Sequence, residues 1–151
     1  MKKVQKKFHK QINNNVERDD NIVLNNILSE GLLVNYSVVD EVKILLFFTK
    51  KYVVTLSDNY RFSTDIEFAE GYLNKKISLK QLNQRENLAL RYLDSLNNEF
   101  EKSIQELTLY FLNANFLDGV EQDQDVGGFL YLLSNVQKDL CKKFYDFLKE
   151  T

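Results

Sequence analysis

The residues from Ser78 to Leu117 constrain the fold more than any other stretch, because their apolar positions recur three and four apart with little interruption. Leu79, Leu82, Ala89, Leu93, Leu96, Phe100, Ile104, Leu107, Phe111 and Ala114 fall on one helical face, with Glu86 the single polar intruder. A face of that length has to be covered by other parts of the chain. Ser78 and Gln81 have the spacing of a capping box, in which each side chain satisfies a backbone amide of the other. Ile77 and Leu82 stand at the positions of a hydrophobic staple. A helix start at Leu79 follows. Ser95 to Asn98 is rich in cap-forming residues, and one rod through 78–117 is long for a chain of this size. A break near 95–98 is therefore expected, with Asn97 opening a second helix. Asp118-Gly119 ends the stretch. A last helix is predicted over 126–149, capped by Asp125, with Phe129, Leu132, Leu133, Val136, Leu140, Phe144, Phe147 and Leu148 as its stripe.

Earlier in the chain the apolar period reads as two. Leu32, Val34, Tyr36 and Val38 alternate with their neighbours, and Val42 to Phe48 is nearly continuous and apolar, as a strand buried on both faces would be. Tyr52 to Leu56 is β-branched and aromatic. Tyr60, Phe62, Thr64, Ile66 and Phe68 point one way while Arg61, Ser63, Asp65 and Glu67 point the other. The fold class expected on these grounds is α+β: an antiparallel sheet of about four strands in residues 32–68, covered by the C-terminal helices 78–117 and 126–149. Before the sheet, Ile22, Val23, Ile27 and Leu28 followed by Gly31 predict a short helix with Asp19 or Asp20 as cap and the glycine as terminator.

A chain of 151 residues with 44% apolar and 28% charged residues suits one soluble domain, 1–151. Its longest apolar run, Ile44 to Phe48, is too short to cross a bilayer, and Met1-Lys2-Lys3 is not followed by the apolar core of a signal peptide. With a single cysteine, Cys141, the expected compartment is the cytoplasm. Residues 1–15 form a basic N-terminal arm: Lys2, Lys3, Lys6, Lys7 and Lys10 accompany a narrow stripe of Val4, Phe8 and Ile12.

Residue counts argue against most enzyme classes. One histidine, His9, leaves too few parts for a His-dependent triad, a two-histidine nuclease or a His-rich zinc site. Cys141 reads as a core residue despite Lys142 and Lys143 beside it. Gly127-Gly128 has no Lys-Ser or Lys-Thr after it and is no phosphate loop. Asp118, Glu121, Asp123 and Asp125 place four carboxylates in eight residues. The last three alternate like the first ligands of a calcium loop, but Val126 stands where a glycine should turn the chain and Leu132 where the bidentate glutamate should be. Paired glycosidase carboxylates would lack a sugar-stacking Trp, since the chain has none. No catalytic residue, metal ligand or cofactor is therefore assigned.

The charge pattern says more. Residues 92–137 hold eight acids (Asp94, Glu99, Glu101, Glu106, Asp118, Glu121, Asp123, Asp125) against one base, Lys102, a local balance of minus seven. Such a segment repels nucleic acid and steers toward a basic protein surface. Tyr110, Phe116 and Tyr131 flank it, and aromatics beside carboxylates are the composition of a protein-binding patch.

Within "ISLKQLNQRENLALRYLDSLNNEFEKSIQELTLYFLN", Gln84, Leu88 and Leu90 to Leu93 stand near a Q-x-x-x-L-x-Y-L helix followed by a second helix ending in aromatics. In this the chain resembles the small α+β immunity proteins that bacteria encode beside polymorphic and contact-dependent toxins. The resemblance covers about a third of the chain and implies a cytoplasmic inhibitor that blocks one basic toxin domain by tight binding through an acidic surface. The partner-binding residues expected are Asp118, Glu121, Asp123, Asp125, Tyr110, Phe116 and Tyr131. Alternative readings are a phage or mobile-element regulator that meets nucleic acid or a nucleoprotein through the Lys2–Lys10 arm, an enzyme with an unrecognised carboxylate site, and a homodimer formed through a surplus apolar helix face.

Overall fold

The computed structural model describes residues 18–119 and 126–151. Every regular element among them is helical: α1 (Asp19–Glu30), α2 (Val38–Tyr52), a 3₁₀ turn (Val54–Leu56), α3 (Tyr60–Leu73), α4 (Leu79–Ser95), α5 (Glu99–Phe111), the single-turn α6 (Ala114–Leu117), α7 (Val126–Val136) and α8 (Leu140–Glu150). The antiparallel sheet expected over 32–68 is overturned, and with it the α+β class. Residues 32–36 form turns and a bend, and the rest of that region is α2, the 3₁₀ turn and the start of α3 with short links at 37, 53 and 57–59.

The physical reason lies in a second period carried by the same residues. Phe62, Ile66, Ala69 and Leu73 recur at four, three and four. The first three are buried and Leu73 packs against the core. Tyr60, which the strand reading aimed at the core, is 75% exposed, while Asp65, which it aimed at water, is buried. Asn59 caps this helix by accepting from the Arg61 N–H at 3.1 Å. In α2 the buried residues Val42, Leu45, Leu46 and Thr49 are likewise helically spaced. Ser37 caps its first turn, Asp40 and Glu41 sit there too, and Lys50 and Lys51 occupy the last turn, all with the sign the helix dipole favours. The apolar run 44–48 is thus not buried on both faces: Phe48 is fully buried and Phe47 is 53% exposed.

Several local expectations hold. The capping box at Ser78 and Gln81 is formed in both directions, at 3.1 and 2.8 Å. The break near 95–98 is present, with α4 ending at Ser95, but the cap of α5 is Asn98, accepting from the Glu101 N–H, and not the expected Asn97. The first helix ends at Gly31 with φ of 63°, its turn closed by a Leu32 N–H to Ile27 carbonyl bond of 3.2 Å. The 126–149 helix is broken where none was expected: Gln137–Asp139 separates α7 from α8. The spacing of Val136 and Leu140 is continuous across the break, so apolar period alone gave no sign of it. Asp125, expected to cap this helix, lies outside the described residues.

Helix α7 sits centrally, against α1, α5 and α8, while α5 also packs on α3, α4 and α6. Composition accounts for this. Among the residues of α7 only Asn135 is exposed, as suits a helix that is apolar nearly all round. Beneath α3, α4 and α5 lies a buried polar knot. Asp65 Oδ1 accepts from Arg85 Nε at 2.6 Å, and its Oδ2 accepts from Gln105 Nε2 at 2.8 Å and lies 2.9 Å from the Thr108 hydroxyl. Arg85 also donates to the Arg61 carbonyl at 3.2 Å, so both ends of the pair are satisfied.

At the end of α6, Gly119 has φ of +70°, and a Cβ there would come within 3.0 Å of Val38 Cγ1. Gly119→Ala is expected to cost about 1–3 kcal/mol, from the left-handed backbone together with the crowding of α2, measured as a drop in the denaturation midpoint at unchanged m-value.

Candidate partner-binding surface

Of the seven residues expected to bind a partner, Glu121, Asp123 and Asp125 lie outside the described residues, as do His9 and the Lys2–Lys10 arm. The other four are dispersed in role. Phe116 is 3% exposed and packs on Phe111 and Tyr110, so it belongs to the core. Tyr131 is half-buried beneath the Arg18 guanidinium, 4.9 Å from its ring centre. Arg18 in turn donates to Asp20 at 2.9 Å and to Ser134 at 2.8 Å, pinning the start of α1 onto α7. These two aromatics therefore hold elements together.

Tyr110 and Asp118 lie nearer the surface. Tyr110 is half-buried, its ring centre 4.5 Å from that of Phe116, and Asp118 is exposed two residues beyond Phe116. Asp118 accepts a 3.0 Å hydrogen bond from the Tyr72 hydroxyl, a partner 46 residues away that no local pattern marks. Desolvation first, then that carboxylate, raises the Tyr72 phenol above its ordinary value. One turn before Tyr110 on α5 stands Glu106, exposed. The segment's one base, Lys102, lies 3.3 Å from Glu99. Among the described residues neither Glu106 nor Asp118 forms an ion pair.

Cys141 is buried and its thiol donates to the Leu130 carbonyl at 3.1 Å. Burial foremost, then the carboxylates of Asp20 and Asp19, pushes that thiol up to about 12. A thiol so protonated is a poor nucleophile. Because its pKa is higher folded than unfolded, the associated stability is complete below the ordinary thiol value of 9.0 and is lost as pH rises toward about 12. The denaturation midpoint of the wild type should therefore fall more steeply over that window than that of Cys141→Ala, and equal slopes would contradict the burial argument. Among the described residues no three His, Cys, Asp or Glu side chains converge as a metal site would require.

A second surface escaped the sequence reading. Phe47 stacks on Phe147 at 6.0 Å, and Lys51 and Lys143 lie over the neighbouring Tyr52 ring at 5.3 and 4.7 Å. Helical spacing in α2 was its only available signal, and the strand reading hid it. No helix among the described residues is long and apolar enough to cross a membrane. Neither a protein family, nor a curated protein, nor a solved structure matches this chain.

Proposed function

We propose that this chain is a non-enzymatic binding protein that inhibits a basic protein partner through the acidic edge formed by Glu106, Tyr110 and Asp118, and that a toxin-neutralising immunity protein is its concrete form. The observation that supports this reading is the exposure of Glu106 and Asp118, neither in an ion pair among the described residues, with Tyr110, one turn from Glu106, packed on Phe116, two residues from Asp118. A carboxylate pair of this kind speeds encounter with a basic surface, and a half-buried tyrosine offers rigid contact area at low entropic cost. The burial of Cys141 and the use of Asp65 and Arg85 inside the core are in keeping with a chain that acts by contact.

The test uses the C-terminal domain of the polypeptide encoded immediately upstream. A salt-sensitive one-to-one complex is expected, and Glu106→Lys with Asp118→Lys should weaken it about a hundredfold, in line with about 1.5 kcal/mol lost at each charge. A complex of unchanged affinity would remove this surface from the mechanism.

A further inference from the structure

Between α1 and the start of α8 opens a cleft of about 270 Å³. One wall follows from helical spacing, since Asp19, Ile22 and Asn26 recur three and four apart along α1. The other wall is Lys138, Asp139 and Lys142, from the α7–α8 link and the first turn of α8. Val23, 6% exposed, and Ile22, 41% exposed, give the cleft its apolar surface. Two hydrogen bonds hold α1 in place at its ends. Arg18, just before it, donates to Ser134 of α7, and Glu30, its last residue, accepts from the Tyr145 hydroxyl of α8. Between those two points the cleft is built into the packing of three helices.

The charges that line it decide what it suits. Asp19 makes the α1 wall negative, while two lysines against Asp139 leave the opposite wall with one net positive charge. All four side chains are exposed, and among the described residues none of them forms an ion pair, although acids and bases share one cleft. With the signs in balance, neither a simple anion nor a simple cation is favoured. Opposite signs on facing walls suit a molecule that carries both charges itself, its ammonium toward Asp19 and its carboxylate toward Lys138 and Lys142. The apolar surface of Ile22 and Val23 takes an apolar body. Drug-sized ligands occupy roughly 300–1,000 Å³, so this smaller space suits a single small metabolite.

We propose that the α1–α8 cleft binds a free α-amino acid with an apolar side chain, Asp19 pairing with its ammonium and Lys138 and Lys142 with its carboxylate. The cleft shares no residue with the acidic edge of Glu106, Tyr110 and Asp118. Glu106→Lys with Asp118→Lys therefore leaves it intact.

Titration of the full chain with L-leucine and with L-phenylalanine, followed by amide chemical shifts and by calorimetry, tests the proposal. Saturable binding of at least one is expected, in the micromolar-to-millimolar range that so few atoms allow, with the shifts concentrated on α1 and α8. Isocaproate, which lacks the ammonium of leucine, and isoamylamine, which lacks its carboxylate, should each bind about tenfold more weakly or worse. Glycine, without the apolar body, should also fall behind. Asp19→Asn and Lys142→Gln should each weaken the amino acid about tenfold. Both positions are exposed, so both variants fold, and thermal melting verifies this. The proposal is overturned if neither amino acid saturates the protein. It also fails if isocaproate binds as tightly as leucine, which marks a plain anion site, or if binding is indifferent to both variants.

Discussion

Replacing Arg85 with Met is expected to lower the free energy of unfolding by about 3–5 kcal/mol, the cost of removing one member of a buried ion pair while its partner stays behind. The Asp65 side chain is 1% exposed and that of Arg85 is 14% exposed, so solvent cannot take over the missing contact. Gln105 and Thr108 would still donate to Oδ2, but Oδ1 loses its 2.6 Å donor and the Arg61 carbonyl loses one of its own. The knot also joins three helices, because Asp65 is on α3, Arg85 on α4, and Gln105 and Thr108 on α5. Arg85 further lies 5.4 Å from the Phe68 ring centre, so its stem and face contribute packing as well as charge. Asp65→Leu combined with Arg85→Met should cost less than Arg85→Met alone, since no uncompensated charge is then left in the core. Gln105 and Thr108 keep each other at 2.7 Å in that variant. Urea unfolding of the single and double variants decides the matter. Additive losses would mean that the pair acts as two independent surface charges.

This knot also shows what the sequence could and could not disclose. Asp65 read as the wet face of a strand because Arg61, Ser63 and Glu67 alternate with it, and no local pattern marks a carboxylate whose partners lie 20, 40 and 43 residues away. The helical spacing of Phe62, Ile66 and Ala69 was present in the same ten residues, 60–69. A window that short fits both periods, and the Asn59 cap was the deciding signal. Where caps and period agreed, as at Ser78 and Gly31, the boundaries were legible, and the start of α5 was legible to within one residue, Asn98 capping it where Asn97 was expected. They were illegible at Gln137–Asp139, where the apolar spacing runs straight across the break. For the partner surface, charge was legible and burial was not. Asp118 is exposed, but the three aromatics have their rings engaged, Tyr110 and Phe116 by each other and by Phe111, and Tyr131 by Arg18. Composition names candidate contact residues, and only packing separates those that face a partner from those that face the core.

Phe48→Ala carries the other large effect, about 3–5 kcal/mol for deleting a fully buried aromatic side chain from a site that closes incompletely. Phe48 belongs to α2, yet its ring centre lies 5.0 Å from Phe144 and 5.5 Å from Phe147 on α8, and 6.4 Å from Phe129 on α7. Its geometry with Phe144 and Phe129 is edge-on, at 77° and 80°, which ring quadrupoles favour. The residue therefore ties the first half of the chain to the last. Its neighbour Phe47 makes the decisive comparison. In a helix the two side chains diverge by about 100°, and Phe47, 53% exposed with one stacked partner, should lose roughly 1 kcal/mol or less on truncation. In a strand buried on both faces, truncating either would open a cavity and the two losses would match. Paired denaturation curves of Phe47→Ala and Phe48→Ala measure that difference. A gap of several kcal/mol is the helical result, and equal midpoints would return residues 42–48 to a sheet.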